Sequence, residues 1–305
     1  MSAKTQVSKE ARLESGQVAV IGAGTMGRGI AQVAALAGHG VSLWDLQSEQ
    51  MERALDWIGR SLEKGVKRRK ITESMARASM DRVAGCTDGA RAVQAADLVV
   101  EAVPEKLEIK QEVLDWISRA VPCSALIATN TSSIPLRAMV QHVEDPSRFV
   151  GLHFFNPPHR MPLVEIVVGE RTSEDSVDRA RRWVSEFGKE AIVVRDTPGF
   201  ATSRLGLVMG LEAMRMLEEG VARVADIDRA MELGYRHPMG PLKLTDLVGL
   251  DVRLGISEIL ARELDPVRFA PPAILKSKVE AGRLGKKTGE GFYLWTEQGP
   301  VDPDA

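Results

Sequence analysis

The sequence has few cysteines, no long apolar run and no excess of charge of one sign. Its two cysteines, Cys86 and Cys123, show neither CxxC nor Cys/His spacing, so the sequence predicts no zinc site and no disulfide framework. No apolar run approaches the roughly 18 to 20 residues that a membrane-spanning helix needs. The 40 Lys and Arg balance 42 Asp and Glu, so the chain lacks the basic field typical of nucleic-acid binders. We expect no metal, no membrane and no nucleic acid as partners.

The first sixteen residues are polar and include Glu10 and Glu14. They contain no apolar segment of the kind found in secretory signals, so residues 1–16 are predicted to form a disordered tail. Together with two reduced thiols, this favours a cytoplasmic location.

From residue 17 to about residue 195, short apolar runs alternate with longer helical stretches, which is typical of a parallel sheet covered by helices. Seven strands are predicted: VAVIG (18–22), VSLWD (41–45), DLVVEAV (97–103), ALIAT (125–129), RFVGLHFF (148–155), LVEIVV (163–168) and AIVVR (191–195). The alternation stops at DTPGF (196–200). Beyond it the spacing of Leu207, Leu211, Met214 and Leu217 predicts helix, with Gly220 as its C-terminal cap. The final residues, GPVDPDA (299–305), are expected to form a loose tail.

A glycine motif, GAGTMG (22–27), follows the first strand and opens an apolar helix. Gly22 permits a tight turn, Gly24 permits close approach of a pyrophosphate, and Gly27 permits close packing of helix and strand. Asp45, 23 residues after Gly22, ends the next strand, where a carboxylate can accept hydrogen bonds from a ribose and repel a 2′-phosphate. The motif predicts a dinucleotide site and favours NAD over NADP.

The fold class that follows is α/β. We predict a Rossmann-type, doubly wound and mostly parallel sheet over residues 17–197, with a helical insertion near 50–80. An all-α domain is predicted to follow over residues 198–305.

Polar residues follow three of the predicted strands. Because ligands of open parallel sheets bind beyond the carboxyl ends of the strands, these residues are candidate site residues. They are Glu105 and Lys110 after the third strand, Asn130 and Ser132 after the fourth, and Asn156 after the fifth.

His153 and Glu165 interrupt two otherwise apolar strands. A buried imidazole and a buried carboxylate each need a hydrogen-bond partner, and pairing them satisfies both. Such a pair could be a structural ion pair or a general base for a substrate hydroxyl. The residues alone leave both interpretations open.

Taken together, the motifs resemble those of the L-3-hydroxyacyl-CoA dehydrogenase family. The resemblance extends from residue 18 to residue 295 and rests on VIGAGTMGRGIAQ, DLVVEAVPE, ATNTSS, GLHFFNPP, RDTPGF, HPMGPLKLTDLVGLD and LGKKTGEGFY. It implies NAD-dependent, reversible oxidation of a short-chain L-3-hydroxyacyl-CoA, such as 3-hydroxybutyryl-CoA, in a homodimer formed through the helical domain. It implies His153 as the base, Glu165 as its orienting partner, and Ser132 and Asn156 as partners of substrate and nicotinamide. The residues implied near NAD are Gly22, Gly24, Thr25, Met26, Gly27, Asp45, Glu105, Lys110, Asn130 and Lys287.

The segment RSLEKGVKRRK (60–70) contains six basic residues and one acid. Composition alone indicates a solvated charge run. The resemblance instead implies contacts with coenzyme A, with Ser61, Lys64, Lys67 and Arg68 as candidate residues; the last three are expected to share one helical face.

Ser203 departs from the family pattern, because GFATSR has serine where GFxxNR has asparagine. A hydroxyl at this expected substrate position reaches less far than an amide. Two other functions compete with the main prediction: a gulonate-type sugar-acid 3-dehydrogenase of the same fold, and a catalytically idle NAD-binding structural protein. The basic segment and LGKKTGEGFY favour the acyl-CoA reaction, and the intact His153 and Glu165 favour an enzyme.

Overall fold

The structure is a computed structural model that describes residues 15–302, so most of the predicted N-terminal tail lies outside the described residues. The chain divides into two compact units between Asp196 and Thr197, one residue from the predicted boundary. Each unit has its own apolar core.

The first unit is built on an eight-stranded sheet. Its strands are β1 (Gln17–Ile21), β2 (Gly40–Trp44), β3 (Val83–Cys86), β4 (Leu98–Glu101), β5 (Leu126–Thr129), β6 (Phe149–Phe154), β7 (Leu163–Val168) and β8 (Glu190–Arg195). Their order is β3-β2-β1-β4-β5-β6-β7-β8, and every neighbouring pair is parallel except β6 and β7. All residues of β4, β5 and β6 are buried, as expected for strands covered on both faces. The predicted doubly wound, mostly parallel sheet is confirmed.

All seven predicted strands are present, with ends that differ by at most two residues. The sequence missed β3, the edge strand that pairs with β2 alone. Its residues, VAGC, include Ala84 and Gly85 and form no apolar run, because only Val83 of the four is buried. An edge strand that buries so little leaves no hydrophobic pattern in the sequence.

In the described part of this unit, six α-helices accompany the sheet: α1 (Thr25–Ala37), α2 (Ser48–Lys67), α3 (Glu73–Met80), α4 (Gly89–Val93), α5 (Leu107–Ala120) and α6 (Glu174–Glu186). The predicted insertion consists of α2 and α3, between β2 and β3. Thr72 begins α3 by accepting a hydrogen bond from the Met75 amide at 3.1 Å. Gly38 ends α1 in the left-handed region, at φ +103°.

The second unit is mainly helical, with α7 (Thr202–Glu218), α8 (Val224–Arg229), α9 (Pro241–Val248), α10 (Leu250–Glu263) and α11 (Ala273–Glu280). Gly220 lies at φ +70° just beyond α7, as the predicted cap requires. The unit is not entirely helical, because β9 (Leu294–Thr296) and β10 (Gly299–Val301) form an antiparallel hairpin. The expected loose tail from residue 299 was therefore wrong for Gly299–Val301, which pairs through backbone hydrogen bonds that a composition argument does not detect.

Candidate active site

The glycine turn joins β1 to α1. Gly22 has φ +105°, and a Cβ there would lie 2.7 Å from the Ala102 carbonyl oxygen. A Cβ on Gly27 would lie 1.7 Å from the Gly22 carbonyl oxygen, so helix and strand could not approach as they do. A Cβ on Gly24, by contrast, would meet no atom within 4 Å. At Gly22 and Gly27 the backbone lies so close to other protein atoms that a side chain would not fit. Gly24 instead faces open space, where a ligand's phosphates can approach.

The donors of this turn suit a dinucleotide. Gly24 is the N-cap of α1, and no side chain caps the first turn of that helix, so its amide groups are available to a pyrophosphate. Asp45, directly after β2, accepts hydrogen bonds from the amides of Ala23 at 2.7 Å and Gln47 at 3.0 Å. Its carboxylate is thus fixed beside the turn, and each oxygen keeps a second lone pair for a ribose hydroxyl. The residues present fit NAD.

A buried acid–amine cluster lies at the end of β4. Lys110, from α5, has no exposed surface, and its Nζ donates to Glu101 Oε1 and Oε2 at 2.8 and 3.1 Å. Lys110 Nζ also lies 3.2 Å from Glu105 Oε2. Thr129 Oγ1, at the end of β5, donates to Glu101 Oε2 at 2.6 Å. Lys110 therefore lies behind Glu105 and holds it, rather than presenting its amine at the surface.

Glu105 organises the loop that follows β5. Its Oε1 accepts hydrogen bonds from Thr131 Oγ1 at 2.6 Å and from the amides of Ser132 and Ser133 at 2.9 and 3.1 Å. Burial alone would raise the pKa of Glu105, but the charge of Lys110 and these hydrogen bonds hold it below its ordinary value. The ionised carboxylate thereby fixes the backbone that carries the exposed Ser132 side chain.

His153 and Glu165 face each other across the antiparallel pair β6 and β7. His153 Nδ1 donates to Glu165 Oε2 at 2.7 Å, since an ionised carboxylate can only accept; Glu165 is fully buried and His153 is 7% exposed. Asn130 Oδ1 accepts a hydrogen bond from the Phe154 amide at 2.9 Å, which ties the end of β6 to the loop after β5. Asn156 is exposed two residues beyond β6. The predicted pairing of imidazole and carboxylate is present in the structure.

A basic groove of about 520 Å³ lies along α2. Trp57 lines it, its ring stacked under the Arg28 guanidinium at 4.5 Å and edge-on to His159 at 5.7 Å. The positively charged lining residues are Arg60, Lys64, Arg68, Lys70 and Arg160, and no acidic side chain lines it among the described residues. A lining of this charge suits an anion.

Three of the four candidate residues of the basic segment lie at this groove. Ser61, Lys64 and Arg68 line the groove, whereas Lys67 does not. Lys67 and Arg68 are adjacent, so their side chains point about 100° apart around the helix. Lys67 is not among the lining residues, and its sharing of one helical face with Lys64 and Arg68 stays a prediction.

Two predicted site residues lie in the second unit. Ser203 is in the first turn of α7. Lys287 Nζ donates to both oxygens of Asp251 at 2.6 Å. Lys287 is thus paired within its own unit.

Sequence reasoning missed Glu101 and the residues that complete the groove. Glu101 was detectable, because it interrupts the predicted apolar run DLVVEAV just as Glu165 interrupts LVEIVV. Trp57, His159 and Arg160 gave no signal, since they come from segments far apart in the sequence. Among residues 15–302, no helix is long and apolar enough to cross a membrane, and no cluster of His, Cys, Asp and Glu could hold a metal ion.

Comparisons with known proteins identify the family of the chain. Residues 17–197 match the model of the 3-hydroxyacyl-CoA dehydrogenase NAD binding domain, and residues 199–295 match that of the 3-hydroxyacyl-CoA dehydrogenase C-terminal domain. The chain is 42% identical to the 3-hydroxyadipyl-CoA dehydrogenase of Escherichia coli over 91% of its own length and 58% of that relative's length. It is 38% identical to a probable 3-hydroxybutyryl-CoA dehydrogenase of Bacillus subtilis, covering 94% of this chain and 99% of that one.

A solved structure gives the same result. The (S)-3-hydroxybutyryl-CoA dehydrogenase of Ralstonia eutropha superposes with a TM-score of 0.89 and 36% identity, covering 93% of this chain and 100% of that chain. The predicted cofactor, NAD, is confirmed by the family model of the first unit. This chain belongs to the 3-hydroxyacyl-CoA dehydrogenase family.

Proposed function

We propose that the protein oxidises an L-3-hydroxyacyl-CoA thioester to the 3-ketoacyl-CoA with NAD, and catalyses the reverse reaction. The observation that carries this proposal is the buried hydrogen bond between His153 and Glu165, at 2.7 Å, in the same unit as the glycine turn. The pair supplies a base, and the turn supplies the place for the hydride acceptor.

His153 acts as the general base. Because Glu165 accepts the proton of Nδ1, the ring is held in the tautomer whose Nε2 bears a lone pair. Nε2 takes the proton of the substrate's 3-hydroxyl, and Glu165 stabilises the imidazolium that forms. The glycine turn and Asp45 would hold NAD, which would supply the acceptor for the hydride that leaves C3. In the reverse direction, the imidazolium donates its Nε2 proton to the ketone oxygen.

Ser132 and Asn156 are proposed to hydrogen-bond substrate and nicotinamide. Both side chains are exposed, and both follow strands that end at the same edge of the sheet. Glu105 fixes the backbone of Ser132 through its amide, and Lys110 holds Glu105. Lys110 is therefore proposed as a positioning residue.

The basic groove is proposed to hold the phosphates of coenzyme A. Its lining includes Ser61, Lys64 and Arg68 and no acid among the described residues. Phosphate oxygens are strong acceptors for arginine and lysine. A thioester substrate would thus be bound through its nucleotide end, remote from the carbon that reacts.

The relatives are named for two kinds of acyl group, 3-hydroxybutyryl and 3-hydroxyadipyl. The first ends in a methyl group and the second in a carboxylate. Both belong to the proposed substrate class.

The proposal is tested by the loss of NADH absorbance on adding acetoacetyl-CoA, for the wild type and for His153→Gln. We expect the variant to lose about 10²- to 10⁴-fold in kcat, because a positioned base contributes about that much. Circular dichroism and NADH binding should be unchanged. A folded His153→Gln with full activity would refute the assignment of the base.

Parallel assays distinguish the other functions. Turnover of gulonate with NAD but not of acetoacetyl-CoA would favour a sugar-acid dehydrogenase, and NADH binding without any turnover would favour a structural protein. Free acetoacetate tests whether turnover requires the CoA thioester. NADPH in place of NADH tests whether the Asp45 carboxylate repels the 2′-phosphate of NADPH.

Two further features remain proposals: assembly as a homodimer through the helical unit, and a cytoplasmic location. Leu205 and Val252, from α7 and α10, are 66% and 44% exposed, and such apolar surface favours association. Both cysteines are free thiols, which fits a reducing compartment.

A further inference from the structure

His159 is a lining residue of the basic groove whose charge can change near neutral pH. The arginines and lysines of the same lining stay charged at that pH. All the residues that line the groove belong to the first unit. His159 Nδ1 is buried and has no hydrogen-bond partner among residues 15–302, so Nε2 is the nitrogen that a ligand in the groove can reach.

The loop that carries His159 is fixed by its own contacts. Lys189 Nζ donates hydrogen bonds to the carbonyl oxygens of Pro158 and Met161, at 2.6 and 2.7 Å. Pro158 also packs against α1, where a Cβ on Gly29 would lie 2.8 Å from the proline ring. The imidazole therefore has a defined position in the wall of the groove, and a ligand would not have to order the loop in order to contact it.

Cations face this imidazole from several elements. Lys70 follows α2, Arg160 lies in the loop after β6 that also carries the imidazole, and Lys189 directly precedes β8. Trp57 of α2 lies edge-on to the imidazole at 5.7 Å, and the Arg28 guanidinium of α1 is stacked on Trp57. No acidic side chain lines the groove among residues 15–302. Within the described part of the chain, an imidazolium at this position therefore meets repulsion and finds no carboxylate in the groove.

These surroundings keep the free imidazole neutral at neutral pH. Burial lowers the pKa of His159 below its ordinary value, and the charges of Arg160, Lys189 and Lys70 lower it further. A phosphate in the groove reverses this balance, because its charge offsets the cations and its oxygens accept a hydrogen bond from the ring. Such a bond is roughly twice as strong from an imidazolium as from a neutral imidazole. Phosphate binding and protonation of His159 therefore favour each other.

We propose that His159 is a phosphate ligand of the basic groove, and that its ring takes up one proton from solvent as a phosphate of coenzyme A binds. This inference rests on the proposed function and adds a binding residue to it. Nε2 donates to the phosphate, and His159 takes no part in proton or hydride transfer at C3. The affinity for CoA is then high at low pH and falls as the pH rises through the pKa of His159 in the complex.

NMR of the full chain measures the proton uptake directly. The imidazole signals are titrated between about pH 5 and pH 8 with and without saturating CoA, and the His159 signal is identified by its absence in His159→Gln. We expect CoA to shift the protonation equilibrium of His159 about tenfold or more towards the imidazolium, as an opposite charge at close range does. His142, which does not line the groove and lies 3.9 Å from Asp115, is the internal control, and its signal should be unaffected by CoA.

The same coupling is measured in the affinity. Between about pH 5 and pH 8, the Kd of CoA should rise about tenfold more for the wild type than for His159→Gln, which lacks the titrating ring. Comparing the two proteins cancels the ionisation of the 3′-phosphate of CoA itself, which occurs near about pH 6. His142→Gln is the matched control and should keep the pH dependence of the wild type.

An identical titration of His159 with and without CoA would overturn the proposal, as would equal pH dependence of the Kd in wild type and His159→Gln. Pantetheine, which has no phosphate, and NADH, whose phosphates are proposed to bind at the glycine turn, should leave the His159 signal unchanged; a shift with either would also overturn it. If His159→Gln does not fold, His159→Asn identifies the signal and the wild-type titration decides. Turnover of acetoacetyl-CoA without a CoA-dependent change at His159 refutes this inference and leaves the proposed function standing. Absence of both CoA binding and turnover refutes both.

Discussion

Removing the amine of Lys110 should destabilise the first unit strongly. Lys110→Met leaves the Glu101 carboxylate fully buried, and its remaining partners among residues 15–302 are the Thr129 hydroxyl at 2.6 Å and the Val103 amide at 2.8 Å. Breaking a buried pair by removing one member costs about 3–5 kcal/mol, since the remaining charge is uncompensated. For a unit of this size, each kcal/mol lowers Tm by about 2–4 °C, so we expect a decrease of about 6–20 °C.

Two further variants isolate the buried pair. Arg119→Met, on the same helix α5, removes an exposed ion pair with Asp115 and should cost at most about 1 kcal/mol. Lys110→Met combined with Glu101→Gln removes both charges and should recover about 2 kcal/mol of the loss. Calorimetry on the intact chain measures all of these. If Lys110→Met is no less stable than Arg119→Met, the reasoning from buried charge is refuted.

Two other outcomes follow from the site. Replacing Lys64 and Arg68 together by Glu should raise KM for acetoacetyl-CoA about tenfold or more without changing KM for NADH. Lys67→Glu should change neither KM, because Lys67 does not line the groove. Equal effects of the two changes would exclude the groove as the CoA site. The pKa of Glu105 is held below 4.5 in the fold, so its contribution to stability is complete above that pH and is lost as the pH falls through the lowered pKa. The Tm difference between wild type and Glu105→Gln should therefore shrink below about pH 4.5. A Tm difference that does not change with pH would contradict the assigned ionisation.

Much of the fold could be predicted because strands that are buried on both faces consist of continuous apolar residues. The strands β4 to β6 are wholly buried, and all of them were predicted. β3 buries only Val83, and the hairpin of β9 and β10 consists of three-residue strands with exposed side chains, so neither leaves such a run. Elements held mainly by backbone hydrogen bonds are the ones that the pattern missed.

Site residues could be predicted where a polar residue stands within an otherwise apolar strand. His153 and Glu165 are polar residues within apolar strands, and this conflict revealed both. The role of Lys110 was not visible in the same way, because its burial depends on a helix packing over Glu101.

The register of β6 and β7 fixes the pair of His153 and Glu165 independently of the residues that line the basic groove. His153 and Glu165 meet because sheet hydrogen bonds align their strands, and a shift by one residue would turn one side chain to the opposite face. The connection beyond Asn156 supplies Pro157, His159 and Arg160 to the wall of the groove. Substitutions in this connection would therefore change the lining of the groove without altering the strand register that pairs His153 with Glu165.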